Sequence, residues 1–170
     1  MENKKCCSRE AEKNVSEQEL TAAIRAAIED RAVWFYLLLK EMKAAGCDSD
    51  AVAQKAIFQY GQMKGKNIGP VASLKEFFDR FASKNVFLAF AMEPGEISED
   101  HGYYRFHHCA LVEAWKKLGC TQDECAHLCK LAKCGDYGIV SCFPGYELSF
   151  NGVIAEGKPY CELVIDKKKA

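Results

Sequence analysis

The chain reads as an α+β protein, with N-terminal helices and a central helix pair packed on a small antiparallel sheet made of two hairpins. Three observations predict this. Apolar residues recur at helical spacing through the first half. Short alternating runs, rich in aromatic and β-branched residues, appear between turn residues in the second half. The strand pairs sit among helices without the regular alternation that a parallel sheet requires.

Residues 1 to about 15 lack any apolar period and read as a loose tail, which makes Cys6-Cys7 an incidental pair. The remainder, residues 16–170, reads as one domain. Ser16 followed by Glu19 forms a capping box, because the hydroxyl accepts from the N3 amide while the carboxylate reaches back to the cap amide. From there Leu20, Ile24, Ala27, Ile28, Trp34, Leu38 and Met42 keep helical spacing up to Gly46, a suitable C-cap. Asp48 or Ser49 caps a second helix, whose buried side is expected to carry Val52, Ala56, Ile57 and Tyr60, with Gly61 and Gly65 marking its end.

After Gly69-Pro70 a third helix is expected over residues 71–81, with Leu74, Phe77, Phe78 and Phe81 turned to a core. Val86 to Met92 reads as a strand, Glu93 to Asp100 as a hairpin loop, and Gly102 to Phe106 as the returning strand. Ala110 to Leu118 has helical spacing and stops at Gly119. Thr121 then caps a helix to Lys133 that Cys134-Gly135 closes. Tyr146 to Asn151 and Tyr160 to Ile165 alternate about a turn at 152–159, making the second hairpin.

Charge excludes one class of function. With 23 basic and 24 acidic residues the net charge is −1, so no basic excess exists to neutralise phosphates, and no nucleic-acid partner is expected. The clusters Lys4-Lys5 and Lys167-Lys168-Lys169 lie near the two ends and read as solvated tails. The amino terminus has no apolar stretch behind Lys4-Lys5, and the longest apolar run, Ala32 to Leu39, is too short for a membrane span. A cytoplasmic protein with no membrane partner is therefore expected, and its ten cysteines read as mostly reduced thiols. A homo-oligomer is left open.

Two groups of residues carry chemistry. Cys120, Cys125, Cys129 and Cys134 are dense enough to suggest zinc or an iron–sulfur cluster, but gaps of five, four and five along one helix do not match the short knuckles of structural zinc sites. His127 shares that reading. The run His107-His108-Cys109 lies where a strand meets a helix amino terminus, which lowers a thiol's pKa and attracts anions. Packing of a strand-helix junction explains the same residues equally well.

The string HHCALVEAWKKLGC, then Gly135 to Gly138, then LSFNGVIAEGKPYCELVI, resembles the L-2-amino-thiazoline-4-carboxylic acid hydrolase family over roughly residues 85–165. The resemblance implies hydrolytic opening of a small cyclic amidine or isothiourea without a cofactor, the type substrate giving a carbamoyl-cysteine. It carries Cys109, Glu113, Asp136 and Cys161 forward as catalytic candidates, with His107 or His108 beside them. Ring opening needs attack at the amidine carbon, a proton for the leaving nitrogen or sulfur, and a site for the ring carboxylate. Cys161 is the favoured nucleophile, Cys109 the alternative, and Glu113 or Asp136 can instead activate water. Arg105 suits the carboxylate, and Tyr104 and Tyr160 stand beside it as substrate contacts. Two other readings remain: a non-catalytic small-molecule binding or sensor module, and a cysteine-ligated metal protein.

Overall fold

The computed structural model describes residues 15–169. The expected tail, including Cys6-Cys7, lies outside them except for Val15. Helix α1 (Glu17–Ala44) opens with the Ser16–Glu19 capping box, and Gly46 follows its end with a φ of 77°. Asp48 caps α2 (Ser49–Ile68) by accepting from the Ala51 amide at 3.1 Å.

The buried side of α2 differs from expectation. Val52 and Tyr60 are exposed, while Ala53, Gly61 and Gly65 face inward, and the helix runs on to Ile68. The reason is α7 (Cys134–Val140), a helix where a turn closing at Gly135 was expected. A methyl group on Gly61 would land on the Gly135 carbonyl, and one on Gly65 would sit 2.6 Å from the Ile139 carbonyl oxygen. The glycines are not stops; they let two helix backbones touch.

Ser73 caps α3 (Leu74–Phe81), whose Leu74, Phe77 and Phe78 are buried as predicted. The segment read as a strand at residues 86–92 is instead α4 (Lys84–Phe90), and the strand β1 (Met92–Ile97) occupies the expected loop. Tertiary contacts override β propensity here. The helical form stacks Phe87 on Tyr104 at 5.1 Å and Phe90 on Phe106 at 5.8 Å. It also presents its last carbonyls to α1, where Arg25 Nε donates to the Ala89 oxygen at 2.9 Å. Pro94 is tolerated because β1 is an edge strand, with its register broken between Pro94 and Ile97.

β2 (His101–Phe106), α5 (Ala110–Lys117), α6 (Gln122–Ala132), β3 (Tyr146–Asn151) and β4 (Cys161–Lys167) follow the sequence reading. A second capping box, Thr121 with Glu124, opens α6. The two hairpins join through their second strands into one antiparallel sheet of order β1-β2-β4-β3, with helices packed on it. One core centres on Trp115, fully buried between α1, α5 and α6, with its indole N–H donating to the Ala32 carbonyl at 3.1 Å. The other lies between α3 and the sheet around Phe77, Phe78, Leu163 and Ile165.

Candidate functional site

Register decides where the site lies. In the β2–β4 pair Phe106 opposes Cys161, Arg105 opposes Glu162 and Tyr104 opposes Leu163. Opposed residues share a face and neighbours alternate, so Cys161 and Tyr104 point to the core face while Arg105 points to the other. The candidate residues therefore separate into three places.

The first place is a cluster of thiols on the core face. Cys109, at the N-cap of α5, Cys129 on α6 and Cys161 at the start of β4 all pack against the Trp115 core. Burial pushes the Cys109 thiol up to about 11, with Cys161 adding to the shift and the amides of Val112 and Leu111 opposing it. Cys129 is pushed up to about 12, first by burial and then by Cys109 and Cys161. Cys161 is raised by burial too, although the Ile154 amide, in the turn at Ile154–Glu156, donates to its sulfur at 3.2 Å.

Asp136, on α7, bears electrostatically on Cys129 and Cys161. Burial pushes its carboxyl up to about 7 against the pull of Lys64 and Lys133. Lys133 acts on Cys129, Cys161 and Asp136 together, and its Nζ lies 5.0 Å from the centre of the Phe150 ring. Lys133 and Cys129 entered no catalytic or substrate-binding reading of the sequence. Their signal was present in the spacing 129, 133, 136, which is one side of a helical run.

The second place is the opposite face of the sheet. Arg105 Nε donates to Glu162 at 2.7 Å, and its guanidinium lies 5.0 Å from the Tyr103 ring and 4.9 Å from the Tyr160 ring. His107 joins this group, with Nε2 2.9 Å from Glu93 and its ring 6.0 Å from Tyr160. Tyr104 belongs to neither place, since its buried hydroxyl donates to the Phe78 carbonyl at 2.9 Å.

The third place is an open groove of about 590 Å³ between α1 and α5, lined by Gln18, Thr21, Arg25, Glu29, His108 and Lys117 among others. His108 Nε2 is buried with no hydrogen-bond partner among the described residues. Burial and Arg25 lower its pKa. Glu113 pairs with Lys116 at 3.3 Å on α5. Neither imidazole is among the groups bearing most on the Cys109 or Cys161 thiols.

The four cysteines considered for a metal disperse. Cys120 lies by Tyr36, Cys125 is buried in the Trp115 core, Cys129 joins the thiol cluster and Cys134 reaches back to the Lys130 carbonyl. His127 contacts Asp50 at 3.2 Å. Among the described residues no group of three or more His, Cys, Asp or Glu side chains is placed to hold a metal ion. Nor is any helix among them long and apolar enough to cross a membrane.

Solved structures share this fold. The phenol-responsive sensory domain of the transcription activator PoxR with phenol aligns at a TM-score of 0.56 and 12% identity, covering 80% of this chain and 73% of that one. Trafficking protein particle complex subunit 3 from Naegleria fowleri, covalently bound to palmitic acid, aligns at 0.54 and 12% identity, covering 83% and 95%. No curated protein matches the chain. The family model described as L-2-amino-thiazoline-4-carboxylic acid hydrolase matches residues 25–165, which takes in α5, α6, α7 and nearly all of β4; the chain belongs to that family.

Proposed function

We propose that the chain hydrolyses a small cyclic amidine or isothiourea bearing a carboxylate, of the 2-amino-thiazoline-carboxylate type, at the cluster formed by Cys109, Cys129, Cys161, Asp136 and Lys133. The observation that carries this reading is the Asp136 carboxyl, which burial pushes up to about 7 while Lys133 acts on it and it bears on the half-buried Cys129 and Cys161 thiols. A group poised there can both take and return a proton. Water adds to the carbon of the protonated amidine, whose ring nitrogen already carries its hydrogen, while Asp136 accepts one proton from the water. The ring C–S or C–N bond then breaks as the new hydroxyl loses its proton to solvent and becomes the carbonyl, and Asp136 returns its proton to the departing sulfur or nitrogen, leaving a carbamoyl product.

Lys133 serves the ring carboxylate in place of Arg105, which is engaged by Glu162 across the sheet. Cys161 and Cys129 line the site as neutral thiols, since burial holds both above their ordinary range. Family membership supports the reaction class. A second reading, binding without turnover, is favoured by the two solved structures of this fold, one carrying phenol and the other palmitic acid.

A hydrolysis assay on 2-amino-thiazoline-4-carboxylate and related cyclic amidines separates the two. Turnover that falls about a hundredfold or more in Asp136→Asn supports the hydrolase. Absence of turnover on every member, together with a raised melting temperature in phenol or a fatty acid, supports binding alone.

A further inference from the structure

Helix α1 is apolar on two sides. Ala32, Phe35, Tyr36 and Leu39 pack inward. Roughly opposite them, at the same helical spacing, Ala27, Trp34, Leu37 and Leu38 face out, with Trp34 73% and Leu38 61% exposed. The adjoining α2 repeats the pattern, with Val52, Ala56, Tyr60 and Met63 on the side away from α7, and Met63 65% exposed. These are largely the positions that amphipathic spacing marks for burial.

The exposed fractions of the large residues leave on the order of 700 Å² of apolar side chain per copy, close to the roughly 800 Å² that each partner gives to a standard interface. Patches of that size on a monomer mark a binding surface. Residues 1–14, whose apolar members are Met1, Cys6, Cys7 and Ala11 among charged and polar neighbours, have too little apolar surface to cover it.

We propose that the outer face of α1 and α2 is the interface of a homodimer. The charge pattern suits a second copy. Arg31 and Glu41 flank the Trp34–Leu38 centre at equal distance along the chain, and both are exposed. An antiparallel pairing of α1 about a two-fold axis at the height of residue 36 sets Trp34 against Leu38 of the second copy. The same axis brings Arg31 toward Glu41 of that copy, as a self-complementary interface requires. A lipid surface fits less well, because Asp30 and Glu41 accompany Arg31 and Lys40 around the stripe without basic excess.

Sedimentation velocity on the full chain tests this. A dimer is expected at micromolar concentration. Leu38→Glu is expected to weaken it at least ~100-fold with unchanged far-ultraviolet dichroism. Arg31→Glu is expected to weaken it about tenfold, and adding Glu41→Arg to restore it. These charge variants lie at the surface and keep the test valid if Leu38→Glu precipitates. A wild-type monomer throughout the micromolar range overturns the proposal, whether or not it binds phosphatidylcholine vesicles. So does a dimer unaffected by all three variants.

Discussion

Gly61 on α2 and Gly135 on α7 meet backbone to backbone, so that a Cβ on Gly61 would occupy the place of the Gly135 carbonyl oxygen. Gly138 meets the Phe58 carbonyl in the same way. Replacing an interior helical glycine by alanine ordinarily adds about 1 kcal/mol of stability. Here overpacking reverses the sign, and Gly61→Ala is expected to cost roughly 1–3 kcal/mol in urea unfolding. Because Asp136 lies between Gly135 and Gly138, turnover should fall as well. Gly145, where an added methyl group would meet no atom within 4 Å, provides the neutral control.

Asp136 makes stability depend on pH. Its folded carboxyl keeps a proton up to about 7, whereas the unfolded chain releases it near the ordinary value of 3.8. The native state therefore binds the extra proton between those values. The resulting stabilisation is full below about pH 4 and is lost as pH rises through 7. Asp136→Asn should match the native protein near pH 4 and exceed it by about 1–3 kcal/mol at pH 8, allowing for partial exposure. Equal pH dependence in both proteins would show that the carboxyl is not held protonated.

Arg105 and Lys133 divide by face, and substitution can separate their roles. Arg105→Ala breaks the Glu162 pair and the contacts with Tyr103 and Tyr160. It should cost about 1 kcal/mol and leave KM within about threefold. Lys133→Ala should raise KM roughly tenfold or more for a substrate with a ring carboxylate, and leave an analogue without that group unchanged. The opposite pattern would move substrate recognition to the outer face of the sheet.

The thiols should be sluggish. With Cys109 near 11 and Cys129 near 12, almost no thiolate exists at neutral pH. Iodoacetamide at pH 7.5 should modify these two at least ~100-fold more slowly than exposed Cys47, as read by mass spectrometry. The double variant Cys109→Ala, Cys161→Ala should retain at least roughly a tenth of the turnover if water is the nucleophile. Complete loss in a folded double variant would restore the thiol mechanism.

Local signals carried much of the architecture. The capping boxes at Ser16–Glu19 and Thr121–Glu124 are each complete within four residues, and the final hairpin announces itself by alternation around a turn. Such interactions need no distant partner, so the residues alone determine them. The family, too, was legible in the run from His107 to Cys120 and in the last strand.

Other decisions required the tertiary structure, because distant residues make them. Val86 to Phe90 is helical because Tyr104, Phe106 and Arg25 reward that form. Gly61 and Gly65 continue α2, and do not end it, because α7 lies against them. Cys129 and Cys161 meet at the Trp115 core only because α6 docks against the Ile154–Glu156 turn that leads into β4, while the β2–β4 register sends Arg105 to the far side. Spacing along a helix says which residues share a face. Which face meets the core, and which is left for a partner, follows from how the helices pack against one another.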